Sequence, residues 1–169
     1  MNAVPERHFW NLILVILQER ILEMKLISSN ANLRTHFSRL AKKYSNIAFA
    51  VAWASAGTEI FEELSANRNR IHKAVIGTHF YQTHPDVLDA FVESNEVRFM
   101  LQPRGVFHPK IYIFWDEKHW ELLMGSANLT AGALNENAEV MVLISNNDQG
   151  GSFIKEDVIN LIDGYWNEA

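Results

Sequence analysis

No cysteine occurs in the 169-residue chain. Structural disulfides, thiol nucleophiles and thiolate metal sites are therefore excluded, and a reducing, cytoplasmic setting is expected. Proline and glycine are sparse, at 4 and 8 residues, and no Pro/Gly/Ser linker, repeat or low-complexity tract divides the sequence. A long hydrophobic run is also lacking. The most apolar stretch, Phe9 to Leu17, is interrupted by Asn11 and followed by Gln18, Glu19 and Arg20. That is too short to span a bilayer, so no membrane partner is expected. Glu6 dilutes the positive start that a secretory signal needs, and no small-x-small cleavage site follows. Positive charge is not in excess either. The net charge is −5 and the pI near 5.8, so a nucleic-acid partner must be met by a few aligned cations rather than by the field of the whole molecule.

What is present is 48% apolar and 21% charged, enough for one domain with a real core. Residues 1–23 read as a helical appendage, and residues 24–169 as the domain. Within the domain, helical and strand periods alternate. Met24–Ser28, Ile47–Ala54, Ile71–Ile76, Val97–Leu101, Lys110–Trp115, Trp120–Met124 and Glu139–Ile144 read as strands. Leu33–Tyr44, Thr58–Leu64, a segment opening at Thr83-His84-Pro85-Asp86, and Phe153–Trp166 read as helices. The alternation predicts an α/β sandwich with a mixed sheet. The strand pair around Asp116–His119 predicts a hairpin, and hence an antiparallel part of that sheet.

The chemistry concentrates in three segments: His108-Pro109-Lys110, Gly125-Ser126-Ala127-Asn128 and Asn137-Ala138-Glu139. On a strand, His108 and Lys110 project from one face, because side chains repeat every two residues. A lysine can neutralise a non-bridging phosphate oxygen while the neighbouring imidazole attacks phosphorus or moves a proton. Gly125 permits close backbone approach, and Ser126 and Asn128 offer neutral donors to a second oxygen. Glu139, among apolar residues of an expected core strand, needs a partner. A histidine ring nitrogen is a natural one, and Glu136 is the alternative acid.

This ordered set resembles the phospholipase D superfamily, with its His-x-Lys, Gly-Ser-x-Asn and downstream acid. The resemblance implies a mixed sheet flanked by helices on both faces. It implies that His108 is the nucleophile forming a phosphohistidine, that Lys110 and Asn128 bind phosphate with help from Ser126, and that Glu139 orients a histidine. Two departures stand out. Trp115 occupies the position where the family commonly has an acid, with Asp116 one step later, and the interval from Lys110 to Gly125 is three residues longer than usual. Only one motif is present, whereas the chemistry needs two histidines. The resemblance is therefore to the single-motif, metal-independent nucleases and restriction-enzyme domains, which build one site from two protomers. The expected partners are DNA or RNA, a second copy of the chain, and a separate specificity domain or subunit. No cofactor or metal is expected. A lipid or small-molecule phosphodiesterase, or a non-catalytic subunit of a nuclease or defence complex, are the competing readings.

Other features read as structural. His79 and His84 flank an aromatic turn, Phe80-Tyr81, without ligand spacing. His8, His36, His72 and His119 carry no signal, and Trp115 and Trp120 suit packing. Cations cluster at Arg34–Lys43 and Arg68–Lys73. Arg104, in the loop before His108, is the expected contact for a flanking phosphate.

Overall fold

The computed structural model describes residues 24–101, 105–148 and 151–169. The 1–23 appendage and Arg104 thus lie outside the described residues. Seven strands form one mixed sheet in the order β1-β7-β6-β5-β2-β3-β4. They are β1 (Lys25–Ile27), β2 (Asn46–Val51), β3 (Ile71–Gly77), β4 (Val97–Met100), β5 (Lys110–Trp115), β6 (Trp120–Gly125) and β7 (Met141–Ser145). Strands β2, β3 and β4 are parallel, whereas β5 runs antiparallel to β2 and the remaining pairs are antiparallel.

Alternation along the strands separates two apolar layers. Phe49, Val51, Tyr112, Phe114 and Leu123 point to one side, where they meet four helices. These are α1 (Asn30–Lys43), α2 (Glu59–Ala66), α3 (Pro85–Phe91) and α4 (Ala131–Asn135). Ala48, Ala50, Ile111, Ile113 and Leu122 point to the other, where Val158 and Ile162 of α5 (Gly151–Glu168) cover them. Both faces of the central strands are thus buried, which explains why β2 reads as a continuous apolar run. Each large side chain removed from water there contributes roughly 1.5–3 kcal/mol. No helix among the described residues is long and apolar enough to cross a bilayer.

Local signals set the helix ends. Ser29, Thr58 and Thr130 cap α1, α2 and α4 through their side-chain oxygens. At α3 the cap is His84, whose Nδ1 accepts from the Asp86 amide at 3.3 Å, with Pro85 in the first turn. Thr83, the residue before it, is instead buried. Its hydroxyl donates to the Gly77 carbonyl at 2.6 Å and accepts from the Ala54 amide at 3.2 Å. The β5–β6 hairpin pairs Ile111 with Met124 and Trp115 with Trp120. Asp116 closes its tip by accepting from the Lys118 and His119 amides at 2.8 and 2.7 Å. The longer interval between the two motifs is therefore hairpin length.

Strand directions bring seven strand ends to one end of the sheet: the exits of β1, β2, β3, β4 and β6 and the entries to β5 and β7. Two glycines make this end possible. A Cβ on Gly125 would lie 2.2 Å from the Val140 carbonyl oxygen, and one on Gly77 would lie 2.5 Å from that of Ala52. At the same end Phe80 and Tyr81 both adopt positive φ, 60° and 56°. That conformation is uncommon for aromatic residues and costs about 1 kcal/mol or more each.

Candidate active site

The entry to β5 is fixed first. The Ala52 amide donates to the Pro109 carbonyl at 2.9 Å, which carries the β2–β5 pairing one step past both strands. Lys110 then shares the side of Tyr112 by alternation. Tyr112 is fully buried, and its hydroxyl donates to the Ala127 carbonyl at 3.0 Å, tying the Gly-Ser-Ala-Asn loop to β5. Burial holds its phenol well above the ordinary range, with Glu139 adding to the effect. Beyond that anchor, the Leu129 amide donates to the Trp53 carbonyl and the Ser55 amide to the Leu129 carbonyl. The loop leaving β6 thus crosses to the chain leaving β2.

His108 is exposed, whereas Lys110 is only 6% exposed. The Lys110 ammonium donates to the His108 backbone carbonyl at 3.0 Å. Both side chains border Trp53. The His108 ring meets it edge-on at a centroid distance of 5.1 Å, and Lys110 Nζ lies 5.6 Å from its ring centre. Burial, and then the charge of Lys110, hold the His108 imidazole below the ordinary histidine range. Both influences favour the neutral form of the ring, the form in which an imidazole carries a free nitrogen lone pair. Burial also lowers Lys110, against the raising influence of Glu139. A cleft of about 520 Å³ opens beside the pair and reaches Met124, Gly125, Tyr165 and Glu168.

Glu139 departs from expectation. It lies two residues ahead of β7, half-buried, rather than within a core strand. Its carboxylate accepts from the Ser126 hydroxyl and, at 3.2 Å, from the Asn137 carboxamide. The Ser126 oxygen in turn accepts from the Val140 amide at 2.9 Å. No hydrogen bond between Glu139 and a histidine occurs among the described residues. The physical reason is local: Ser126 leaves β6 directly beside the entry to β7, so its hydroxyl satisfies the acid first. Ser126 therefore donates to Glu139 and is not a free donor to phosphate in this state. The loop bearing Glu139 is braced from α1. Asn30 donates to the Ala133 and Asn137 carbonyls at 3.0 Å, and Arg34 donates to the Leu134 carbonyl at 2.6 Å.

Asn128 is half-buried, and its side-chain oxygen has no hydrogen-bond partner among the described residues. The same holds for the indole nitrogen of Trp53. Buried polar atoms without partners carry a cost. Two of them in segments that pair directly beside a histidine and lysine fit a polar ligand. Trp53 is the residue that the sequence motifs do not point to. Its signal is positional, an aromatic just past the exit of a central strand at the end where loops gather. Asp116 does not replace the acid missing at Trp115. It closes the hairpin at the opposite end of β5, and Trp115 packs with His72 and Lys155.

Comparisons with known proteins agree with this arrangement. The family described as cardiolipin synthase, PLD-like domain, matches residues 86–156, which include all three motif segments. No curated protein matches the chain. Among solved structures, the phospholipase D family member Nuc from Salmonella typhimurium is 20% identical. It aligns over 86% of this chain and 95% of its own, with a TM-score of 0.65. NucT from Helicobacter pylori is 16% identical over 86% and 94%, at a TM-score of 0.58. Polyphosphate kinase from Porphyromonas gingivalis shares the fold at 12% identity over 84% of this chain but only 26% of its own, at a TM-score of 0.58. The fold is thus phospholipase D-like, and the part of the chain that carries the three motif segments is similar to that family's PLD-like domain.

Proposed function

We propose that the chain is a metal-independent phosphodiester hydrolase acting on nucleic acid, with DNA as the expected substrate, and that two copies complete one site. The observation that carries this reading is an exposed imidazole backed by a buried lysine. The lysine has one protein acceptor among the described residues, the His108 carbonyl, so donors remain for a phosphate oxygen. Asn128 supplies a further polar contact once its carboxamide turns toward the ligand. The likeness of most of this chain to nearly the whole of Nuc and NucT supports the nuclease reading over a lipid enzyme.

In the proposed reaction a nitrogen of His108 attacks phosphorus, forming a P–N bond as the P–O bond to the leaving nucleoside breaks. The imidazolium of His108 from a second copy gives its proton to that leaving oxygen. Water then attacks the phosphohistidine, the now neutral second imidazole takes the water proton, and the P–N bond breaks. A terminal phosphate and the starting pair of rings result. Glu139 holds Ser126 and the β6–β7 crossing in place, and its field opposes the lowering of Lys110 by burial. The exposed Met124 and Val140, on the β6–β7 side of His108, offer an apolar border for the second copy.

The test is cleavage of a labelled oligonucleotide by wild type and His108→Ala, with and without EDTA. Activity that survives EDTA and is lost in the variant is expected, together with a dimer in sedimentation. Loss on chelation with recovery on adding a divalent ion would refute the mechanism.

A further inference from the structure

We propose that Phe80 and Tyr81 form a nucleobase-stacking platform that receives the base next to the scissile phosphate in a single strand; this rests on the reading of the chain as a nuclease. Phe80 is 61% exposed and Tyr81 100% exposed. They form the tip of the β3–α3 connection, at the same end of the sheet as His108. Phe80 meets the Trp53 ring at a centroid distance of 6.4 Å, and the His108 ring meets the same indole at 5.1 Å. Trp53 therefore links the Phe80 ring to the His108 ring through edge contacts, on a scale of one nucleotide.

The tip is held, not loose. The Thr78 amide and hydroxyl both donate to the Met100 carbonyl at 3.2 Å. The Tyr81 amide donates to the Thr78 carbonyl at 3.3 Å, and Thr83 anchors the other side on Gly77 and Ala54. Two consecutive aromatics held at positive φ, with their rings in solvent, are the reverse of what packing favours. Ring stacking explains the arrangement, because each base offers a flat face and binding to a fixed ring loses little conformational freedom.

A second copy is the competing occupant, and it fits less well. Two side chains offer at most a few hundred Å², whereas a stable interface needs about 800 Å² from each partner. Neighbouring Gln82 and His84 are exposed and polar, so the tip is not part of an apolar face. The apolar Met124 and Val140 lie across β5 from it, on the β6–β7 side.

The experiment uses a short single-stranded oligonucleotide carrying a fluorescent purine analogue, titrated with wild type, Phe80→Asn, Tyr81→Asn and Tyr81→Phe. Asparagine removes the ring yet tolerates positive φ, so folding is preserved or improved. Stacking is expected to quench the analogue in wild type and in Tyr81→Phe. Each asparagine variant is expected to lose quenching and weaken binding by about 5- to 150-fold. Unquenched binding by wild type, or quenching unchanged in the asparagine variants, would overturn the platform. So would a shift from dimer to monomer in those variants, which would assign the tip to the second copy. Hydrolysis of bis(p-nitrophenyl) phosphate, run alongside, reports on the phosphodiesterase reading alone. Its absence in wild type sinks that reading while the quenching result still decides on the platform.

Discussion

Replacing Lys110 with methionine separates catalysis from stability. The ammonium is buried at the entry to β5, with one carbonyl acceptor at 3.0 Å and the Trp53 ring at 5.6 Å. No carboxylate forms an ion pair with it among the described residues; Glu139 acts only through its field. A hydrogen bond from a charged donor contributes about 1.5–3 kcal/mol, and a cation over a ring about 0.5–1 kcal/mol. Against them stands the desolvation of a buried charge, several kcal/mol even after relaxation. Methionine is unbranched, has similar reach and fills the same space without that penalty. The two sides nearly cancel, so Lys110→Met is expected within about 1 kcal/mol of wild type, on the stable side if either. Activity should fall far more, because a charge that meets the developing phosphorane is worth about 10²- to 10³-fold in rate. Urea unfolding read by tryptophan fluorescence gives the first quantity, and cleavage of a labelled oligonucleotide gives the second. A variant destabilised by about 3 kcal/mol, the cost of breaking a well-paired buried charge, would show Lys110 to be a structural lysine. A variant retaining activity within tenfold would remove it from the site.

Three further outcomes follow from the same structure. The Lys110→Met chain should also show a His108 ring that titrates higher than in wild type by NMR, since the lysine charge is one of the two influences lowering it; an unmoved titration would leave burial as the whole cause. Glu121 is pulled from 4.5 to about 2: burial opposes the shift, but hydrogen bonds from Arg39, Lys43 and Tyr44 outweigh it. A depressed carboxylate stabilises the fold fully above about pH 4.5 and loses that contribution as the pH falls toward 2. The stability gap between wild type and Glu121→Gln should thus be about 2 kcal/mol at pH 7, discounted for the half-exposed Arg39 and Lys43, and should close in acid; denaturant melts at pH 7 and 3 measure it. In Gly125→Ala the new Cβ would press on the Val140 carbonyl. Displacing the entry to β7 should lower stability by about 2–3 kcal/mol and abolish cleavage even in the folded fraction, and wild-type cleavage by the folded variant would count against a role for the β6–β7 crossing.

Much of this architecture is legible in residue order, because period and burial say the same thing. Ile47–Val51 is apolar on every position since β2 is covered on both faces, and the Asp116 turn marks the hairpin whose length explains the interval between motifs. The short helix Ala131–Asn135 is not legible. It has five residues, one of them glycine, and it exists because Asn30 and Arg34 bind its closing carbonyls from a distant helix. The partners of His108 and Glu139 are hidden for a similar reason. Strand order, not spacing, sets Trp53 beside the histidine, and the β6–β7 crossing gives Ser126 to Glu139. Several cations of the basic clusters are engaged within the fold. Arg39 and Lys43 bind Glu121, Arg70 binds the Tyr44 carbonyl, and Lys73 binds Asp163.

That last observation bears on how substrate is held. With a net charge of −5 and many of its cations engaged in the fold, the chain has little long-range attraction for a polyanion. Lys110 supplies the charge where the chemistry needs it, within a site too small to neutralise many phosphates. Affinity must then come from contacts insensitive to charge, or from a second site. The proposed ring platform near His108 would meet the first requirement, and the proposed two-fold assembly would meet the second by placing two half-sites on one strand path. The motif in the sequence is therefore sufficient for the reacting phosphate and insufficient for binding. On the proposed reading, His108 and Lys110 act at the bond that breaks, while Trp53, Phe80 and Tyr81 govern what can be laid across them.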